Sequence, residues 1–125
     1  MSELRGVIVS HAAVAEALVA AVRAITGVEG ALIPVSNEGC DQDALKARLV
    51  EATASQPAVL FVDLPGGSCL TSSLRFARGR AELAVVTGVN LAMLLDFVFH
   101  RDVAPAEAAR RAAEAGGKAI KVGAA

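Results

Sequence analysis

Short apolar runs punctuate this 125-residue chain, and a stretch of helical periodicity follows each of them. Residues 4–10 contain Val7, Ile8 and Val9 in unbroken sequence, and residues 58–62 read Ala-Val-Leu-Phe-Val. A strand that buries both faces needs a continuous run of this kind, whereas a strand with one wet face alternates. Residues 31–35 and 83–87 supply two further strands. The segments between them repeat their apolar residues at helical spacing. Over residues 12–26, Val14, Leu18, Val22 and Ile25 form one stripe, and Gly27 suits the stop. Asp41 is placed to cap a helix through Ser55 that turns Leu45 and Leu49 inward. Helices follow over 68–78 and 91–100. Pro105 fits the first position of a last helix that stops at Gly116-Gly117, and 119–122 read as a short fifth strand.

Strand and helix in strict alternation, with short connections, predict an α/β fold: a parallel sheet covered on both faces. The expected arrangement is a flavodoxin-like three-layer sandwich with strand order 2-1-3-4, in one domain over residues 1–125. Hydrophobic residues make up 54% of the chain, enough for a core, and the many alanines favour close helix packing.

The order 2-1-3-4 makes strands one and three neighbours, and the chain changes direction between them. Ligands bind at such a switch point, beyond the carboxyl ends of the strands. His11 ends strand one and Asp63 ends strand three, so the topology sets side by side two residues that are far apart in sequence. A His at this place can be a base, a metal ligand or a phosphoryl carrier. A carboxylate on one imidazole N–H would fix the tautomer and leave the other nitrogen free to attack. The amides of Ala12 and Ala13 and the turn Gly66-Gly67-Ser68 are the expected phosphate cradle, as a helix terminus and a nest. Ser68 serves equally as the N-cap of its helix and Asn90 as the cap of the next, and Asp63 can cap the helix that follows it in addition to its place beside His11.

Other classes fit less well. Net charge is −1, Trp and Tyr are absent and Phe numbers four, so neither a basic footprint nor base stacking indicates nucleic acid. No run of about 20 apolar residues lacks a charge, so no membrane insertion is expected. Residues 1–6 are unlike a signal peptide, which points to the cytoplasm. A receiver-type domain needs an acidic pair after strand one, where Ser10-His11 stands. A flavin or nucleotide module needs glycine in that loop, and Ala12-Ala13 supplies none. No cofactor is expected. Cys40 and Cys69 read as free thiols filling loop space. Their spacing follows no recognised zinc pattern, although a His11/Cys40/Cys69 metal site or a redox-sensitive thiol pair is the sharper alternative. His100 is expected on the solvent side, complementing a helix dipole.

Three segments resemble the enzyme IIA domain of the mannose-type sugar phosphotransferase system (PTS): Val7-Ile8-Val9-Ser10-His11, Val62-Asp63-Leu64-Pro65-Gly66-Gly67-Ser68, and Thr87-Gly88-Val89-Asn90 through Leu95. The resemblance covers nearly the whole chain, with the motifs in the family's order and spacing. It implies a cytoplasmic phosphocarrier in which His11 takes a phosphoryl group from phospho-HPr and passes it to a IIB component. By the same match Asp63 orients His11, and the protein is a homodimer that exchanges the C-terminal strand 119–122. The alternative is a regulatory phosphocarrier, or a degenerate interaction domain without sugar transport. The chain departs from the family's pattern at Pro65, where Phe is more usual, and at Cys69-Leu70-Thr71, which replaces a Pro-containing stretch. The loop 36–41 also differs.

Overall fold

The computed structural model describes residues 3–123. Strands β1 (Arg5–Ser10), β2 (Leu32–Ser36), β3 (Ala58–Val62) and β4 (Leu83–Thr87) alternate with helices α1 (Val14–Thr26), α2 (Gln42–Thr53), α3 (Gly67–Ala77), α4 (Leu91–Val98) and α5 (Pro105–Lys118). The sheet has the order β2-β1-β3-β4, and all its pairs are parallel. The three layers expected from the sequence are present.

The continuous apolar runs are explained by burial on both faces. Ile8, Val59 and Phe61 pack with Val22, Leu94, Phe97 and Ala112, on the face covered by α1, α4 and α5. Val7, Val9, Leu60 and Val62 pack with Leu45, Leu49, Cys69 and Phe76, on the face covered by α2 and α3. Phe61 and Phe97 meet edge to face with centroids 5.0 Å apart. Gly6 makes that packing possible: a Cβ there would lie 2.7 Å from both Leu32 and Phe97.

Local signals hold at most helix ends. Gly27 is left-handed at the end of α1 and donates to the Arg23 carbonyl. Asp41 caps α2 by accepting from the Ala44 N–H at 2.8 Å, and Pro105 opens α5. The exceptions have physical reasons. Helix α1 buries Ala15 and Val22, and leaves Val14 and Ile25 at 44% and 60% exposure. The inward face is therefore rotated to Ala15, Leu18, Val19 and Val22. Helix α2 stops at Thr53 because Ala54 and Ser55 turn left-handed. Helix α5 runs through Gly116-Gly117 instead of stopping there. Gly116 is buried where a Cβ would come within 3.0–3.1 Å of Met93 and Asn90, so its missing side chain serves close packing on α4. Residues 119–122 form no strand within the chain. The Ala119 and Ile120 amides close the last turn of α5, and Ile120 and Val122 are exposed.

Candidate functional site

Strand register brings His11 and Asp63 together. Val9 lies opposite Val62, and the Asp63 N–H donates to the Val9 carbonyl at 3.2 Å. The next residues of the two strands therefore emerge side by side. Asp63 Oδ2 accepts from the His11 backbone N–H at 2.9 Å and lies 2.8 Å from His11 Nδ1. The imidazole is 42% exposed and the carboxylate 13%.

An ionised carboxylate only accepts hydrogen bonds, so the proton between Oδ2 and Nδ1 belongs to Nδ1. That leaves Nε2 of the neutral ring with its lone pair. Burial alone would raise the Asp63 pKa. The His11 backbone N–H, the ring hydrogen bond and the charge of the protonated ring outweigh it, and hold the carboxyl below its ordinary value. The pair is thus an ionised acceptor beside a ring whose opposite nitrogen is a nucleophile.

The loop carrying His11 is anchored from inside. Ser10 is fully buried, and its Oγ accepts the Ala15 N–H at 2.7 Å, supplying α1 with a cap that Ala13 cannot provide. Between these anchors Ala12 has a φ of +48°, a conformation rarely adopted by alanine. The amides of Ala12 and Ala13 have no backbone hydrogen bond among the described residues.

The glycine turn opens α3. Gly66 is the extended N-cap residue, and Gly67 has a φ of +86°, which its lack of a side chain permits. No atom lies within 4 Å of where a side chain would sit on either. Ser68 is inside the first turn instead of at the cap, with its Oγ 3.4 Å from Asn37 Nδ2. Asn90 turns out to be structural: its Oδ1 caps α4 at the Met93 N–H, and its Nδ2 donates to the Gly116 carbonyl. His100 lies at the end of α4, 2.8 Å from the Asp96 carbonyl, in the dipole-complementing role expected of it.

Of the His11/Cys40/Cys69 cluster that the sequence offers, the structure keeps Cys69 beside His11. Cys69 is fully buried in the first turn of α3, with Sγ 3.9 Å from His11 Nδ1. Burial, and then the Asp63 charge, push its thiol pKa up. Its adjacency to His11 follows from packing between α3 and the end of β1, with the residue inside a helix and not in the expected loop. Cys40 is outside this cluster, with its Sγ 4.0 Å from the Ser36 carbonyl.

No helix among the described residues is long and apolar enough to cross a membrane. Two clefts lie away from the His11 and Asp63 pair. One of about 450 Å³ runs beside β2 and is lined by Arg5, Pro34 and Arg48. One of about 260 Å³ lies between α2 and α3 and is lined by Lys46, Arg75, Arg78 and Arg80. His11 and Asp63 line neither, and the ring is partly exposed at the carboxyl edge of the sheet.

Comparison with solved structures finds the same architecture. A phosphotransferase system component EIIA from Streptococcus agalactiae superimposes with a TM-score of 0.87 at 17% identity, over 95% of this chain and 96% of that one. The mannose/sorbose specific IIA subunit of the phosphotransferase system from Enterococcus faecalis gives 0.84 at 22% identity, over 99% and 97%. A sigma-54 interaction domain protein from Enterococcus faecalis gives 0.76 at 9% identity, over 94% and 93%. No curated protein matches the chain. A family model described as the PTS system fructose IIA component matches residues 6–114, and on that match the chain belongs to the EIIA-man family.

Proposed function

We propose that the protein is a phosphocarrier of the phosphoenolpyruvate-dependent sugar phosphotransferase system, with His11 as the phosphorylated residue. Phospho-HPr is the donor and a IIB component the acceptor. The observation that carries the reading is the double acceptance of His11 by Asp63 Oδ2, which leaves Nε2 as the nucleophile. Family membership supports the general role. The open placement of the ring suits a phosphoryl group delivered on another protein.

In the forward step the Nε2 lone pair attacks phosphorus, and the bond from phosphorus to the donor breaks, its electron pair leaving with the donor atom. The ring then holds both the Nδ1 proton and the phosphoryl group and is positively charged. Asp63 stabilises that charge through the hydrogen bond it already makes. The Ala12 and Ala13 amides and the Gly66-Gly67-Ser68 turn are the candidate donors to the phosphoryl oxygens. Phosphoryl transfer needs mostly positioning and charge stabilisation, which such a small set can supply. A homodimer exchanging residues 119–122, in the cytoplasm, belongs to the same proposal.

The test is incubation with enzyme I, HPr and phosphoenolpyruvate. The expected product is one acid-labile, base-stable phosphate per chain. Equal labelling of His11→Ala would refute the assignment, and no labelling of the wild type would favour an interaction domain without transfer.

A further inference from the structure

We propose that His11, Asp63 and Cys69 together form a binding site for a zinc-like divalent cation, and that the bound ion withdraws His11 from phosphoryl transfer. The second half rests on the function proposed above; the first does not.

One nitrogen, one oxygen and one sulfur ligand atom from these residues all lie within 4.8 Å of one another. The donors come from three elements: the end of β1, the end of β3 and the first turn of α3. A mixed N, O and S donor set suits zinc over magnesium or calcium, which take oxygen alone. Three protein ligands with a fourth position open is the arrangement of an accessible zinc site.

Two of the three ligand pairs are close to the separations that coordination needs, and the third is within 4.8 Å. Zinc bonds of the usual length at tetrahedral angles put nitrogen and sulfur about 3.6 Å apart, and His11 Nδ1 and Cys69 Sγ are 3.9 Å apart. Nitrogen and oxygen ligands come out about 3.4 Å apart by the same reckoning. Nδ1 and Oδ2 are at hydrogen-bond length, 2.8 Å, so the carboxylate has to turn slightly as the ion takes the place of the shared proton. The exposed ring gives the ion its way in, since Cys69 itself is sealed from solvent.

The proton balance ties binding to function. The ion bonds to Nδ1, whose proton is lost, and Nε2 takes up a proton, so the ring stays neutral. The Cys69 thiol releases its proton to solvent as the sulfur coordinates. One proton leaves per ion bound. Nε2 is then an N–H with no lone pair to offer phosphorus. Conversely, a ring that carries a phosphoryl group on Nε2 and a proton on Nδ1 has no free nitrogen for the ion, so each event opposes the other.

The test uses the full chain, unphosphorylated, with zinc chloride alone. Equilibrium dialysis should retain one zinc per chain. Long-range proton–nitrogen NMR of the imidazole should find the proton on Nδ1 without zinc and on Nε2 with it. Cobalt(II) in place of zinc should give a thiolate-to-metal charge-transfer band that Cys40→Ser retains and Cys69→Ser loses. A ring proton that stays on Nδ1 in saturating zinc overturns the site, in wild-type protein and without reliance on a variant's folding. A cobalt band unchanged in Cys69→Ser overturns it as well. In a labelling assay run separately, the rate should fall in proportion to the zinc-loaded fraction, and full labelling at full occupancy refutes the inhibitory half. Absence of labelling in zinc-free protein would count against the phosphocarrier reading and leave the binding result standing.

Discussion

A single oxygen, Asp63 Oδ2, holds both the main chain and the ring of His11, at 2.9 Å and 2.8 Å. The carboxylate therefore fixes where the loop is and which ring nitrogen is free. Replacing it with an amide separates those two roles. Asp63→Asn can still accept from the His11 N–H, so the fold should survive. Its NH2 can also face Nδ1 and favour the wrong tautomer, and the negative charge that the proposed phosphohistidine would face is lost. Transfer to and from His11 should slow on the order of 10–100-fold. Rapid-quench labelling measures it, and rates equal to wild type would reduce Asp63 to a loop anchor.

The same pair predicts an acid-sensitive component of stability. The folded Asp63 pKa is lowered by its His11 contacts, against the opposing effect of burial. The unfolded chain takes up that proton first, near the ordinary value of about 3.9, and the folded chain only at lower pH. In that window the unfolded state binds more protons, so stability falls as pH falls. The contribution is present in full above the unfolded pKa and is gone once pH has dropped through the folded one. Denaturant midpoints measured from about pH 5 downward should show wild type losing more than Asp63→Asn. Parallel curves would mean that the pair contributes nothing through this proton.

The two thiols should differ sharply in native protein. Cys40 is partly exposed and Cys69 fully buried. Burial and the Asp63 charge also hold the Cys69 thiol protonated, and the thiolate is the reactive form. Native protein, free of metal, should give one fast equivalent with a thiol reagent such as DTNB, and a second only on denaturation. Two fast equivalents would show that α3 opens readily beside the site.

Gly6→Ala tests the core beneath the sheet. The added methyl would start 2.7 Å from Leu32 and Phe97. Overpacking of this kind costs about 1–3 kcal/mol. The denaturation midpoint should shift by that amount with the strand order preserved, and an unchanged midpoint would mean that Phe97 moves aside freely.

Ser10→Ala should cost about 1 kcal/mol, the usual loss for a removed helix cap, because the Ala15 N–H would be left without its acceptor. Equal stability would show that water or another group takes over.

The legible part of this protein is its topology. Unbroken apolar runs specify a sheet buried on both faces, and alternation with helices specifies parallel strands. The strand order then brings His11 to Asp63 across a separation of 52 residues. Local chemistry was legible too, as at Asp41, Gly27 and Pro105. Contacts set by packing between elements were not. Val14 and Ile25 have the spacing of a buried stripe, yet α1 turns Ala15, Val19 and Val22 to the core beside Leu18. Gly116 looks like a helix stop because a missing side chain reads the same whether it ends a helix or lets a neighbouring helix approach. Cys69 falls beside His11 as the alternative cluster had it, but nothing in the chain shows that Asp63, in place of Cys40, completes that cluster.

The approach to His11 is unusual in what it lacks. Ala12, Ala13 and Val14 are exposed, and the loop's anchors, Ser10 and Asp63, lie behind them, out of the way. Alanine has no rotamers to freeze, and valine few. A protein that settles over this threshold therefore immobilises almost no side chains there, a cost that at most interfaces runs to about 0.5–1.5 kcal/mol for each long residue. Little entropy is lost on arrival and little is regained on departure. Residence times at this face should accordingly be set by the partner's surface and by more distant contacts, with the rim of the imidazole acting as a nearly neutral landing.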